Sequence, residues 1–236
     1  MSAVVSSVKL HLNRRSATFL VPLYIAGTVA AVSVLISLVF WRAGSEPGSR
    51  GWIEGSQSNP GIAYGLAGFL VYLGVASVAT TFPFALTLGA TRRSFIAGTV
   101  LWDALTSAYI AVLLGSLMLL ERATGHWFTG FYIFDVYVLG AGDIGRLLGI
   151  VFLAVLGALS LGGLFGAGWM RFGARGPLVI AVLIVLVLAV ALLVVIPDAA
   201  AIAAAFRLWW LAVAAGILIV LTSLGMWFLL RSAVVR

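Results

Sequence analysis

Along the chain, apolar residues arrive in six long blocks, and most polar and charged residues collect between them. The blocks run at about Thr18–Trp41, Gly61–Phe84, Phe95–Leu120, Ile144–Trp169, Pro177–Ile196 and Leu208–Leu230. A helix needs about 20 apolar residues to cross a hydrocarbon core roughly 30 Å thick. In that medium the backbone must satisfy its own hydrogen bonds, so each block predicts a spanning helix. The short alternating segments of a β-barrel are absent. The expectation is an all-α, polytopic membrane protein whose residues 1–236 form one transmembrane domain. Ahead of the first block, Val5, Val8 and Leu12 share a helical face, with Lys9, His11, Arg14 and Arg15 largely elsewhere. That pattern fits a short amphipathic helix over residues 1–15 lying in the membrane interface, or equally a disordered basic flank.

Composition strengthens the membrane reading. The chain is 63% hydrophobic and 9% charged, against roughly 45–50% and about 25% in soluble domains. The formal net charge of +7 does not point to nucleic acid, because the basic residues stand singly or in pairs at block ends. There they suit lipid headgroups and orientation signals. There is no cysteine, hence no disulfide, thiolate metal site or cysteine nucleophile. The basic start leads into a block too long for the core of a cleavable signal peptide.

With six alternating crossings and a cytoplasmic N-terminus, Lys9, Arg14, Arg15, Arg92, Arg93, Arg171, Arg175, Arg231 and Arg236 fall inside. Arg42, Arg50, Arg122, Arg146 and Arg207 fall outside. This is the direction of the positive-inside rule, so both termini are expected in the cytoplasm. Glu46, Glu54, Glu121, Asp135, Asp143 and Asp198 would all lie outside. The outer stretch Ala43–Pro60 is rich in Gly and Ser and predicts a mobile loop. Ala123–Asp143 carries Trp127, Phe128, Phe131, Tyr132, Phe134 and Tyr137. So aromatic a segment predicts an interfacial or partly re-entrant position.

No catalytic constellation emerges. His11 and His126 stand at membrane boundaries without a partner at ligand spacing, and no metal site is expected. A phosphate-binding loop of the GxxxxGK[ST] type is missing, so the chain itself should be neither an enzyme nor an ATP binder. Asp103 is the one acid deep within a block, about 15 Å beyond Arg93 at 1.5 Å per residue. Thr99, Thr106 and Ser107 share its face. This face predicts either a substrate or gating contact or a structural hydrogen-bond network. Gly61, Gly65 and Gly68, then Gly162, Gly163, Gly166 and Gly168, allow close helix approach, within the chain or at a dimer seam. The fifth block has no polar side chain, which suits either a lipid-facing helix or the wall of a path for apolar cargo.

The stretch Phe82-Pro-Phe-Ala-Leu-Thr-Leu-Gly-Ala-Thr-Arg-Arg-Ser-Phe95 resembles the loop between the second and third spans in membrane subunits of type-two bacterial ABC exporters, particularly small actinobacterial ones. Six spans, cytoplasmic termini and an N-terminal interfacial helix agree with that resemblance. It implies that Leu88, Gly89, Ala90, Thr91, Arg92, Arg93, Ser94 and Phe95 form a coupling helix docking on a separate ATPase subunit, which carries ATP and Mg. It also implies a second permease chain, identical or a paralogue, and a translocation path bordered by the second and fifth spans, where Tyr64, Gly68 and Tyr72 are candidates. The expected function is then the permease subunit of an ATP-driven exporter of hydrophobic or amphipathic cargo in the bacterial cytoplasmic membrane. The chain departs from the pattern in its short outer loop Pro197–Arg207 and its long aromatic one, so no gate residues are carried over. A non-transport membrane scaffold or immunity-type protein, and a secondary transporter using Asp103, are the alternatives.

Overall fold

The computed structural model describes residues 3–13, 15–127 and 129–233; Ser2, Arg14, Phe128 and Arg236 lie outside the described residues. Every regular element among them is helical. In order these are α1 (Ala3–Leu12), α2 (Val21–Arg42), α3 (Arg50–Gln57), α4 (Gly61–Ala79), α5 (Thr81–Thr87), α6 (Arg92–Ala123), α7 (Ile144–Phe172), α8 (Arg175–Val195), α9 (Ala199–Ala205) and α10 (Leu208–Leu230). Six helical stretches are long and apolar enough to cross a membrane, one on each apolar block, and the chain is a multi-pass membrane protein.

Contacts divide the chain into two compact units. One comprises Met1–His11, Val71–Val100 and Leu159–Arg236; the other comprises Leu12–Leu70 and Leu101–Ala158. In the first, a core of Phe82, Phe95, Ala167, Met226 and Leu230 lies under the joint between α5 and α6. Glycines let α4 and α7 meet backbone to backbone there: a Cβ at Gly162 would overlap the Val71 carbonyl, and one at Gly74 the Leu159 carbonyl. Gly166 and Gly168 are likewise occupied, against Val75 and Gly176, and Gly163 lies against Met226. These glycines are consumed by packing within the chain. The face of α1 that packs is Ser7, Val8 and His11, whereas Val5 is exposed. His11 shares a hydrogen bond with Thr99 Oγ1 at 3.0 Å, which offsets the burial of its ring.

In the second unit, a single π turn (Ser16–Leu20) leads into α2. Pro22 supplies no N–H there, and Tyr109 donates to the Phe19 carbonyl at 2.9 Å. The stretch Ala43–Pro60 is more ordered than a mobile loop. Ser49 caps α3 by accepting the Trp52 N–H at 3.3 Å. Trp52 is buried, edge-on to Phe131, and its Nε1 donates to the Gly130 carbonyl at 3.1 Å. The described residues of the aromatic segment, 124–127 and 129–143, form a largely irregular cap that includes a 3-10 turn at Tyr137–Leu139. Phe131, Ile133, Phe134, Val136 and Leu139 are its buried apolar residues among those described.

The fifth span is also longer than its block. Pro197 opens a 3-10 turn (Ile196–Asp198), where a missing N–H costs little. The alanine-rich α9 then carries the helix on, so the loop foreseen over Pro197–Arg207 shrinks to Phe206 and Arg207.

Candidate functional site

The exposed joint between α5 and α6 is built from two helix-end motifs in succession. At the end of α5, Ala90 N–H donates to the Ala85 carbonyl and Gly89 N–H to the Leu86 carbonyl, both at 3.0 Å. With Gly89 at φ +81° this is the left-handed helix stop that glycine favours. Two residues later Thr91 starts α6, its Oγ1 accepting the Ser94 N–H at 3.1 Å. Thus Leu-Gly-Ala-Thr is read by physics as stop, turn, cap.

The predicted contact residues divide sharply. Leu88, Gly89, Thr91 and Arg93 are exposed, Leu88 at 66%. Phe95 is fully buried against Phe82 and His11, and Ser94 is buried as well. Arg92 faces inward along the surface. Its guanidinium donates to the carbonyls of Leu230 (3.0 Å), Arg231 and Ala233 (2.9 Å), closing the C-terminal end of α10. A cation on these orphan carbonyls also complements the negative end of the helix dipole. The joint is therefore exposed at Leu88 and Arg93 and tied down at Arg92 and Phe95. Beside it, Ala3, Ser6, Leu10, Ala85 and Leu88 line a shallow groove of about 180 Å³ between α1 and the joint.

The polar face of α6 is buried at all four positions. Thr99 donates to the Phe95 carbonyl at 3.0 Å and meets His11. Ser107 spends its hydroxyl on the Asp103 carbonyl at 2.7 Å. Asp103 Oδ1 and Thr106 Oγ1 have no hydrogen-bond partner among the described residues. On α4, Tyr64 and Tyr72 are strongly exposed and a side chain at Gly68 would meet open space.

Glu121 is the residue whose role the sequence left unread. Its carboxylate is completely buried and accepts the Ile133 N–H at 2.9 Å and the Phe134 N–H at 2.6 Å. His126, foreseen without a carboxylate partner, lies with Nδ1 at 3.3 Å from Glu121 Oε1 and stacks on Tyr132 at 3.8 Å. Five residues along a helix end that turns back on itself bring them together. Burial, and then the charges of Asp135 and Glu121, raise the Tyr132 phenol above its usual range. No cluster of metal-ligating side chains occurs among the described residues.

What the fold and these sites define is a class: a six-span helical membrane protein carrying an exposed, rigidly seated joint between its second and third spans. Compared with known proteins, the chain matches no family model, no curated protein and no solved structure.

Proposed function

We propose that this chain is the permease subunit of an ATP-driven exporter, worked by a separate ATPase subunit that holds ATP and Mg. The observation that carries the reading is the joint itself. A coupling element must offer a partner both a grip and a stiff connection to the spans. Leu88 is an exposed apolar anchor and Arg93 an exposed cation for acidic groups. Arg92 fastens the same turn to α10, and Phe95 sinks it into the core below. A push on Leu88 therefore reaches three helices with little slack. The joint faces the cytoplasm in this reading, with both chain ends on the same side, in the bacterial cytoplasmic membrane.

A second copy of the chain, or a paralogue, completes the path. The fifth span supports this, since no residue of its most apolar stretch is buried within the chain. The exposed Tyr64 and Tyr72 put hydroxyls on an otherwise apolar helix face, where facing lipid is costly. Against a path they would meet cargo or water, and hydrophobic or amphipathic cargo suits walls so apolar. The unpartnered Asp103 Oδ1 favours a second reading, a secondary transporter with a proton site on α6.

The test is co-purification of the tagged chain from its host membrane. Leu88→Asp with Arg93→Glu is expected to lose a bound ATPase while the protein stays folded. Retention of the ATPase by that double variant, or its absence from the wild-type complex, overturns the proposal. Dependence of transport on Asp103 with no ATPase present would establish the second reading.

A further inference from the structure

We infer that the chain holds a phospholipid molecule in a slot between α4, α6 and α7, on the side of the molecule that bears the aromatic cap. The inference needs only that the protein spans a membrane and stands apart from the exporter reading. The slot arises from side-chain size. Ala63 and Ala67 follow one another a turn apart on α4, and Ala154 and Ala158 do so on α7. Where leucines at these positions would fill the gap, four methyl groups leave a cavity of about 250 Å³, with Leu114 of α6 at its side.

Its lining contains only apolar side chains. A site without polar partners does not hold water, and an empty one forfeits dispersion contacts along its whole wall. Val138 and Leu139 of the 3-10 turn close it at the loop end. From Ile62 to Leu70 the slot runs eight residues, about 12 Å along α4, close to the hydrocarbon depth of one leaflet, about 15 Å. The medium around the spans is itself made of chains of this shape.

Charge selects the occupant further. Arg146 stands one turn before Ile150, about 40° round α7 from it. It packs beside Gly140, next to the closing turn. Asp143 holds its Nε at 3.2 Å and so fixes the guanidinium at the start of the helix. The terminal amino groups make no protein hydrogen bond among the described residues, and the side chain is 61% exposed. An apolar slot one leaflet deep beneath a fixed guanidinium is complementary to an acyl chain under an anionic phosphate.

The experiment uses the full chain in nanodiscs of phosphatidylcholine and phosphatidylglycerol. Each lipid in turn carries a diazirine in its acyl chain, and crosslinks are mapped by mass spectrometry. Crosslinks are expected to concentrate on Leu66, Ile150 and Ala154 above the level on the exposed helix α8. Ala154→Phe should abolish this excess while labelling of α8 persists; Ala67→Leu is the milder variant should Ala154→Phe fail to fold. Arg146→Gln should reduce the preference for the phosphatidylglycerol probe about fivefold, the ratio matching about 1 kcal/mol per interfacial basic residue. Labelling no stronger in the slot than on α8, or an excess that survives both filling variants, would each overturn the inference.

Discussion

Replacing Glu121 with Ala removes the acceptor that closes the aromatic cap. The carboxylate receives two backbone N–H groups, from Ile133 and Phe134, at positions that are themselves 1% exposed. Neither amide has water to turn to. An orphaned buried donor costs about 1–3 kcal/mol, so the pair amounts to about 2–6 kcal/mol. Since 1.4 kcal/mol is tenfold in an equilibrium constant, even the lower end opens the cap about thirtyfold more often. Glu121→Gln keeps one acceptor oxygen but sets an amide N–H₂ against the other donor, and about half the loss is expected. The measurement is amide hydrogen exchange of residues 129–139 in nanodiscs, with α7 as the internal reference. An exchange rate in Glu121→Ala within about threefold of the wild type, less than about 0.7 kcal/mol, would refute the latch.

Other outcomes follow from the same geometry. Gly162→Val drives a side chain into the Val71 carbonyl and should lower thermal stability by about 1–3 kcal/mol, whereas Gly68→Ala, facing open space, should change it by less than about 0.5 kcal/mol. Arg92→Gln withdraws a charged donor from the carbonyls at the end of α10 and should cost about 1–3 kcal/mol; Arg93→Gln should leave unfolding nearly unmoved, within about 0.5 kcal/mol. Gly89→Ala must hold alanine at a positive φ, and a loss of about 1–2 kcal/mol in chemical denaturation is expected. With the Tyr132 phenol raised by burial and by its acidic neighbours, the folded protein holds that proton more tightly than the unfolded chain. Its contribution to stability is complete below the ordinary tyrosine value of 10.0 and is lost as pH climbs through the higher folded value. Tyr132→Phe should flatten this part of an alkaline unfolding curve.

Much of the architecture was legible because a bilayer imposes a coarse rule. Twenty apolar residues in a row have few other uses, so six blocks gave six helices whatever their neighbours. The stop at Gly89 and the cap at Thr91 also depend on a few residues adjacent in sequence, although from the sequence both were placed only within a coupling helix. The Trp52 helix followed a cap signal at Ser49 that its Gly-rich surroundings concealed. Glu121 gave a faint sign, an acid closing an apolar run just before an aromatic stretch, but backbone amides 12 and 13 residues away leave no mark in a sequence.

Arg92 and Arg93 show where local reading ends. As neighbours of one type they are equivalent in the sequence. Successive side chains on a helix point about 100° apart, and only the presence of α10 beside the first turn of α6 decides that one caps carbonyls while the other stays free. Phe95 was an apolar residue beside an exposed turn, and packing against Phe82 and His11 made it core. The chain alone thus determined which segments enter the membrane, because transfer free energy sums along a segment. Which charge is spent inside, which acid closes the cap and where a slot stays open were decided by the fold, because those depend on pairs of groups remote in sequence meeting at a few ångströms.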